Sequence, residues 1–258
     1  MTTTMRLRQV CLVAHDLAEA EDALCSIFGL NVGARSAGVE AFGLDNFLAP
    51  IGGDFLEVVA PTEAGTSAGR FLDRRGGDGG YMPIFQCDDG MASRQHIDGL
   101  GVQSVWSVER EGYVSTHYHP RDWNGCIPAI CSVTGGLRGE EMSDWPPAHD
   151  DWRPHVRQDV TEAIVGVEMQ VNEPKGAAEA WAERLQAPLR QSGDATYVLD
   201  FDNAELRFVP VIDGRGEGLG GIDLKINDIG HVTAEAAKRR IMPVNNIIIV
   251  CGTRFRLV

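Results

Sequence analysis

The order of strands and helices in this 258-residue chain repeats along the sequence. Residues 6–16 alternate apolar and polar side chains and end in an aspartate, as a strand with one buried face does. Residues 17–29 then carry apolar side chains on one helical face and stop at a glycine, and three short strands follow. The same order starts again at residues 81, 163 and 219, where the last copy is shortened. Four weak copies of a unit of roughly 50 residues indicate a fold built from repeats.

The four copies form two pairs, separated by a stretch of different character. Residues 135–159 are rich in Pro, Asp and Trp and show no periodicity. We therefore expect two α+β domains, each a pair of βαβββ modules. The expected boundaries are 1–140 for the first domain, with modules at 6–61 and 80–134, 141–157 for a linker, and 158–258 for the second domain. Trp145 and Trp152 of the linker should pack against a domain, because both are large apolar side chains.

Composition excludes several classes of function. The formal charge of −14 would repel a phosphate backbone, so we expect no nucleic-acid partner. No apolar run reaches the ~18–20 residues that span a bilayer, and the first residues lack the features of a signal peptide. The six cysteines contain no CxxC pair, which predicts reduced thiols in a cytoplasmic protein.

Several segments resemble one protein superfamily across nearly the whole chain. They are VCLVAHDLAEAEDAL with the FGL that follows, FLEVVAPTEAGTSAGRFLDRRGGDGGYM, QCDDG and HPRDWNG. Together with the paired βαβββ order, they resemble the vicinal-oxygen-chelate superfamily, and its glyoxalase-like branch in particular. That superfamily includes glyoxalase I, methylmalonyl-CoA epimerase, extradiol dioxygenases and bleomycin-resistance proteins. The resemblance implies two mixed sheets that each curl into a cup, with helices outside and a small ligand, often on a metal ion, inside.

The resemblance also implies where a metal ion would bind. Strand alternation points Gln9 and Glu57 into the first cup, and both match positions where the superfamily carries metal ligands. A divalent ion is therefore the cofactor that the resemblance implies, since amide and carboxylate oxygens suit such an ion. The other two ligand positions correspond to Met82 and Ala129, which cannot bind a hard metal. We expect these two residues to contact substrate instead.

The segment THYHPRDWNGCIPAI, residues 116–130, admits three interpretations. His117 and His119 share one strand face and could complete a substitute metal site with Gln9 and Glu57. They could instead be structural, with His119 capping the turn and Asn124-Gly125 supplying its positive φ angles. In the third interpretation, a histidine acts on substrate as a general acid or base near neutral pH.

Glu57 is open to two interpretations as well. It is a general base or metal ligand, or it pairs with Arg35 or Arg70. The residues around Arg70 predict a short helix, AGRFLDRRG, from which Arg70 could reach the rim of the cup.

The second domain carries arginines at the ligand positions of the last strands. Arg207 and Arg256 occupy them, and no metal ion binds between two such groups. Either the two arginines hold an anionic ligand, or they pair with Glu168 and Asp223 in a domain that has lost its site. We favour the ion pairs.

The resemblance implies a lyase or isomerase that moves a proton on a small carbonyl or hydroxy compound in the first cup. Glu57 and His117 are the expected catalytic residues, and Gln9 would orient the substrate. Tyr118, His119 and Arg70 are further expected substrate contacts. The alternative is a non-catalytic protein that sequesters a small molecule, as drug-binding members do. A homodimer is compatible with both, because the superfamily also builds cups between subunits.

Overall fold

The computed structural model of the protein describes residues 5–35, 37–134, 142–149 and 151–258. Its described residues form two mixed sheets of seven strands each, together with five α-helices, so the predicted α+β class is confirmed. None of the described helices is long and apolar enough to cross a membrane.

The first sheet contains the first two modules. Its elements are β1 (Met5–Val13), α1 (Leu17–Phe28), β2 (Leu44–Ile51), β3 (Asp54–Pro61), α2 (Ser67–Arg75), β4 (Gly79–Cys87), α3 (Gly90–Gly99), β5 (Ser104–Arg110), β6 (Tyr113–Tyr118) and β7 (Ala129–Val133). The strands lie in the order β2-β3-β1-β4-β7-β6-β5. Of the three short strands predicted after the first helix, the first, around residues 32–35, is only an isolated bridge between Ala34 and Leu48. A 3₁₀ helix, Ala37–Phe42, follows it.

The second sheet contains the third and fourth modules. Its elements are β8 (Thr161–Val171), α4 (Pro174–Leu185), β9 (Leu189–Gly193), β10 (Thr196–Asp200), β11 (Glu205–Pro210), β12 (Gly218–Ile226), α5 (Ile229–Lys238), β13 (Ile247–Val250) and β14 (Thr253–Leu257). The order β13-β14-β12-β8-β11-β10-β9 repeats that of the first sheet. The repeat read from the sequence therefore corresponds to one topology used twice.

An aspartate after the strand begins the helix in three of the modules. The side chains of Asp16, Asp89 and Asp228 accept hydrogen bonds from backbone N–H groups in the first turns of α1, α3 and α5. Such a cap satisfies a donor that has no partner within the helix. Gly29 then ends α1 with φ 66°, a left-handed conformation that glycine adopts without strain. Strand ends and helix starts were therefore readable from local sequence.

Contacts group the chain into two compact units that cut across the sheets. The first unit comprises Met1–Gln9, Tyr81–Glu140 and Gly166–Gly220, and the second comprises Val10–Gly80, Glu141–Val165 and Gly221–Val258. Within the first unit, the Trp123 and Trp181 rings of the second and third modules meet at 4.7 Å. Within the second, Phe28 and Phe255 of the first and fourth modules do so at 4.7 Å. The expected boundaries at residues 140 and 158 remain a prediction about independent folding.

The two tryptophans of the expected linker are buried, as predicted. Trp145 and Trp152 lie against Phe55 of β3, at ring distances of 6.5 and 4.9 Å. The guanidinium of Arg153 lies 5.0 Å from the Trp152 ring and also pairs with Asp144. The described part of residues 141–157 is therefore anchored to the second unit by aromatic packing.

Candidate functional site

The carboxylate of Glu57 lies in a buried polar cluster of the second unit. β2 and β3 pair antiparallel with Leu48 opposite Glu57, so Asn46 lies diagonally across from it on the same face. The Asn46 side-chain Nδ2 donates a hydrogen bond of 2.6 Å to Glu57 Oε1. Both side chains are buried. The two strands thus fix the orientation of a carboxylate in a site with little access to water.

Cys11 of β1 completes this cluster. Burial raises the pKa of the Cys11 thiol well above its usual value, and the nearby Glu57 carboxylate raises it further. Cys11 is therefore a neutral thiol, and its Sγ donates to the Leu12 carbonyl at 3.4 Å. The interaction between the Cys11 and Glu57 side chains places both on the same face of the sheet, as strand alternation predicted.

The chemistry of this cluster does not fit a metal ion. Asn46 directs its Nδ2, a hydrogen-bond donor, towards the Glu57 carboxylate, whereas a metal ligand must offer a lone pair to the ion. Among the described residues, no group of three or more His, Cys, Asp or Glu side chains could hold a metal ion. Gln9 is buried on β1 in the first unit. The set of donor atoms around Glu57 therefore gives no support to the metal-ligand roles predicted for Gln9 and Glu57.

The arginines that could have paired with Glu57 have other partners. Arg35 pairs with Glu21 at 2.6 Å and donates to the Asn46 carbonyl at 3.2 Å. Arg70 is exposed on α2 and folds back onto the start of its own helix, where it donates to the Gly65 carbonyl at 2.6 Å and to Ser67 Oγ at 2.9 Å. The predicted helix around Arg70 is confirmed, but the substrate contact predicted for that residue has no support.

His117 lies on β6, in the first unit. A Cβ on Gly90 of α3 would lie 2.8 Å from Ser132 Oγ and 3.2 Å from Val114, so these two residues face α3. His117 and its cross-strand partner Ala129 have the opposite parity and point away from α3. We call this surface the histidine face. Its residues are Trp106 of β5, Tyr113, Ser115 and His117 of β6, Ala129 and Cys131 of β7, and Met82, Ile84 and Gln86 of β4.

The His117 ring is neutral at physiological pH. Burial lowers its pKa to about 4, and the ring lies edge-on to Trp106 at 4.7 Å. A histidine with this pKa is a weak base that does not titrate near neutrality, and the catalytic role predicted for His117 stays a prediction. The residue acts here as an uncharged donor and acceptor of hydrogen bonds.

His119 has the structural role that was one of the interpretations. β6 ends at Tyr118, so His119 is not on the strand face of His117 as predicted. Its Nδ1 accepts a hydrogen bond of 3.1 Å from the Arg121 N–H and caps the 3₁₀ helix Pro120–Asp122. Asn124 and Gly125 have φ angles of 50° and 83°, as predicted for the turn.

Tyr118 lies on the opposite side of the sheet from His117. It is fully buried against Trp123 at 5.6 Å, and burial raises its pKa. Residues of α3, Asp98 and Arg94, also influence this pKa, which places Tyr118 on the helix side. Successive strand residues face opposite sides, so Tyr118 does not share the face of His117, and the substrate contact predicted for Tyr118 stays a prediction.

Met82 and Ala129 lie on the histidine face, as the strand count predicted. Both are buried, and Ala129 is in register with Ile84 of β4 and with His117 of β6. This part of the face is therefore apolar next to a neutral imidazole. Contact of either residue with a substrate stays a prediction.

The prediction of candidate residues missed the polar members of the histidine face. Tyr113 donates to Cys131 Sγ at 3.5 Å, and the Cys131 thiol donates to Ser115 Oγ at 3.2 Å. Gln86 is in register with Cys131, is fully buried, and neither atom of its amide has a hydrogen-bond partner among the described residues. Counting alternate residues along β4, β6 and β7 from His117 would have identified them.

The arginines of the second sheet form the ion pairs favoured from the sequence. Arg207 lies 3.4 Å from Glu168, its neighbour in register on β8. Arg256 binds both oxygens of the buried Asp223 at 2.9 and 2.6 Å, again in register. The charges therefore have partners inside their own sheet.

Comparison with known proteins agrees with the fold. A family model described as a glyoxalase-like domain matches residues 10–185. A triple mutant of 4-hydroxymandelate synthase from Streptomyces coelicolor is 12% identical, with a TM-score of 0.69 over 93% of this chain and 76% of that one. A hypothetical protein from Staphylococcus aureus is 11% identical, with a TM-score of 0.66 over 98% and 99% of the two chains. No curated protein matches the sequence. At these identities, the solved structures support the fold alone.

Proposed function

Because the chain belongs to the glyoxalase-like domain family, we propose that it is a lyase or isomerase that moves a proton on a small carbonyl or hydroxy compound. Glu57 is the base in this proposal. The carboxylate would take a proton from the carbon next to a carbonyl group and return it to another atom of the same molecule.

The observation that carries this proposal is the buried pair of Glu57 and Asn46. A carboxylate with little water around it is a stronger base towards carbon than an exposed one. The 2.6 Å hydrogen bond from Asn46 holds one carboxylate oxygen in place, which reduces the orientations that the base must sample. The neutral Cys11 thiol adds no charge beside it.

A second candidate function is binding without catalysis, and the histidine face favours it. Met82 and Ala129 offer no ligand for a hard metal ion, and His117 does not titrate near pH 7. A surface of this kind suits an apolar ligand that is held and not transformed.

Proton exchange distinguishes the two functions. The protein is incubated in D₂O with hydroxyacetone, lactaldehyde and methylglyoxal, and loss of the C–H signals is followed by NMR. We expect exchange above the buffer rate, and a loss of at least about 100-fold in Glu57→Gln. The matched control is Glu40→Gln, because Glu40 is exposed in the same unit. If the three compounds exchange at the buffer rate with the wild-type protein, catalysis of this class of substrate is ruled out.

We also propose a cytoplasmic location and a small-molecule partner. All six cysteines are free in the structure, which supports a reducing compartment. The charge of −14 supports the absence of a nucleic-acid partner. A homodimer also stays a proposal, and the molar mass measured by size-exclusion chromatography with light scattering tests it.

A further inference from the structure

The second and third modules carry a glutamine at the same position. Gln86 of β4 lies three residues before the cap Asp89, and Gln170 of β8 lies three residues before Glu173 at the equivalent cap position. Both side chains are fully buried within the first unit. The repeat therefore provides an internal comparison of one buried amide in two surroundings.

The chain itself supplies acceptors to Gln170. Its Nε2 donates to Asp213 Oδ1 at 2.6 Å and to the Gly216 carbonyl at 2.7 Å, so a carboxylate oxygen and a peptide oxygen use both N–H groups. Neither the Nε2 nor the Oε1 of Gln86 has a hydrogen-bond partner among the residues that the structure describes. A buried amide without hydrogen-bond partners lowers the stability of the folded protein unless another molecule supplies the missing hydrogen bonds.

We propose that Gln86 is the polar anchor of a ligand site on the histidine face. Its ligand is an uncharged compound that places a carbonyl oxygen beside an O–H or N–H group, as carboxamides and hydroxyketones do. The ligand's carbonyl oxygen accepts a hydrogen bond from Gln86 Nε2, as the oxygens of Asp213 and Gly216 do from Gln170 Nε2. The ligand's O–H or N–H group donates to Gln86 Oε1.

The neighbours of Gln86 continue the site. Cys131 is in register with Gln86 on the adjacent strand, about 4.8 Å away, and its thiol donates to Ser115 Oγ. Ser115 also hydrogen-bonds with the Tyr113 side chain, so the three polar groups form one buried cluster next to Gln86. Burial raises the pKa of Cys131 to about 11, so this part of the face is uncharged.

The rest of the face sets the ligand's shape and charge. Met82, Ile84 and Ala129 give it an apolar wall, and His117 is neutral. Arg110 is exposed at the far end, with its guanidinium 5.2 Å from the Tyr113 ring. The residues named on the histidine face around Gln86 are uncharged, so an anion buried there would lose its hydration without a counter-charge from them, and the site selects neutral compounds.

Burial along the face indicates how a ligand enters. Trp106 on the edge strand β5 is 38% exposed, and His117 on the next strand is half-buried. Ala129, Cys131 and Gln86, further into the sheet, are buried. A ligand with an aromatic or apolar body would therefore enter past Trp106 and His117 with its polar group directed to Gln86.

The experiment compares benzamide with benzoate, which have the same shape but differ in charge. Binding to the full-length protein is followed by ligand-observed NMR titration at millimolar concentration. We expect saturable binding of benzamide and no binding of benzoate. Gln86→Met should weaken benzamide binding at least about tenfold, because the substitution keeps the length and removes both hydrogen-bonding atoms. Ser115→Ala should weaken it less.

Thermal unfolding of matched variants separates a ligand site from a structural role. Gln86→Met should unfold at the wild-type temperature or above, since no partner among the described residues is lost, whereas Gln170→Met should unfold at a lower temperature. Equal affinity of wild type and Gln86→Met for benzamide would overturn the proposal and leave Gln86 as the partner of a buried water. Preference for benzoate, or no saturable benzamide binding, would overturn the ligand class. None of these readouts depends on proton exchange, so they test this site apart from Glu57.

Discussion

The two sheets have the same topology but treat their buried polar positions differently. The last-strand position that is Glu57 in the first module is Arg207 in the third and Arg256 in the fourth. Each of these arginines pairs with an acidic residue in register on the adjacent strand, whereas Glu57 receives a hydrogen bond from the uncharged Asn46. Gln170 is likewise bonded within its own half of the chain, whereas the Gln86 amide has no partner in the part of the chain that the structure describes.

The difference shows how two copies of one fold can use equivalent buried polar positions for different purposes, one for stability and one for binding. Where the chain completes a buried polar group, the group stabilises its sheet and has little capacity left for a ligand. Where the chain leaves a buried group incomplete, that position is available for binding. The predictions below test this division between the first and second sheets, beginning with the largest effect.

Glu57→Gln and Arg207→Met should differ most. Loss of the base should reduce proton exchange at least about 100-fold, which corresponds to about 2.7 kcal/mol in the barrier. Arg207→Met should leave exchange and small-molecule binding unchanged, because its guanidinium is bound to Glu168. Exchange is measured by NMR in D₂O for both variants. A large loss in Arg207→Met would move the functional site to the second sheet and end the comparison.

Arg256→Met should lower the free energy of unfolding by about 2 kcal/mol. The buried Asp223 carboxylate would lose two hydrogen bonds from the guanidinium, and the half-exposed arginine makes the effect smaller than for a fully buried pair. Urea unfolding followed by circular dichroism measures it. Lys175→Met is the control, since the exposed pair of Lys175 with Glu179 at 3.8 Å should contribute almost nothing. Equal stability of both variants would show that the second sheet does not depend on its ion pairs.

His117 should make stability fall on acidification. Its folded pKa of about 4 lies below the unfolded value of 6.5, so the unfolded state binds more protons between these values. The contribution is therefore fully present above pH 6.5 and is lost as the pH falls towards 4. Because the ring is half-buried, we expect about 1 kcal/mol between pH 7 and pH 5. His117→Asn should show a correspondingly smaller loss when urea midpoints are compared at the two pH values, and an unchanged loss would contradict a neutral imidazole.

Removal of metal ions should have the smallest effect. The donor set around Glu57 does not fit a divalent ion, so treatment with EDTA should leave the melting temperature and proton exchange unchanged. Elemental analysis of the purified protein accompanies the melting curves. A stoichiometric divalent ion that is lost in Glu57→Gln would restore the metal site that the family resemblance implied and would give the first sheet a different chemistry.

Local sequence was enough for the features that depend on near neighbours. Strand alternation and glycine stops predicted the four modules, and the Asn124-Gly125 pair predicted the turn beside His119. The ion pairs of Arg207 and Arg256 were also foreseeable, because residues in register on neighbouring strands of each module lie side by side. These features follow from the period of a strand or helix and from the φ angles that each residue adopts.

Tertiary structure decided the features that depend on burial and on contacts between distant segments. The sequence could not show that Asn46 binds Glu57, that two contact units cut across the sheets, or that burial keeps His117 neutral. It could not distinguish Gln86 from Gln170 either, since both end similar strands before a helix cap. Among the described residues, Gln170 meets the Asp213–Gly216 loop and Gln86 meets no such partner. A hydrogen bond requires two groups to meet in space, and the order of residues does not specify that meeting.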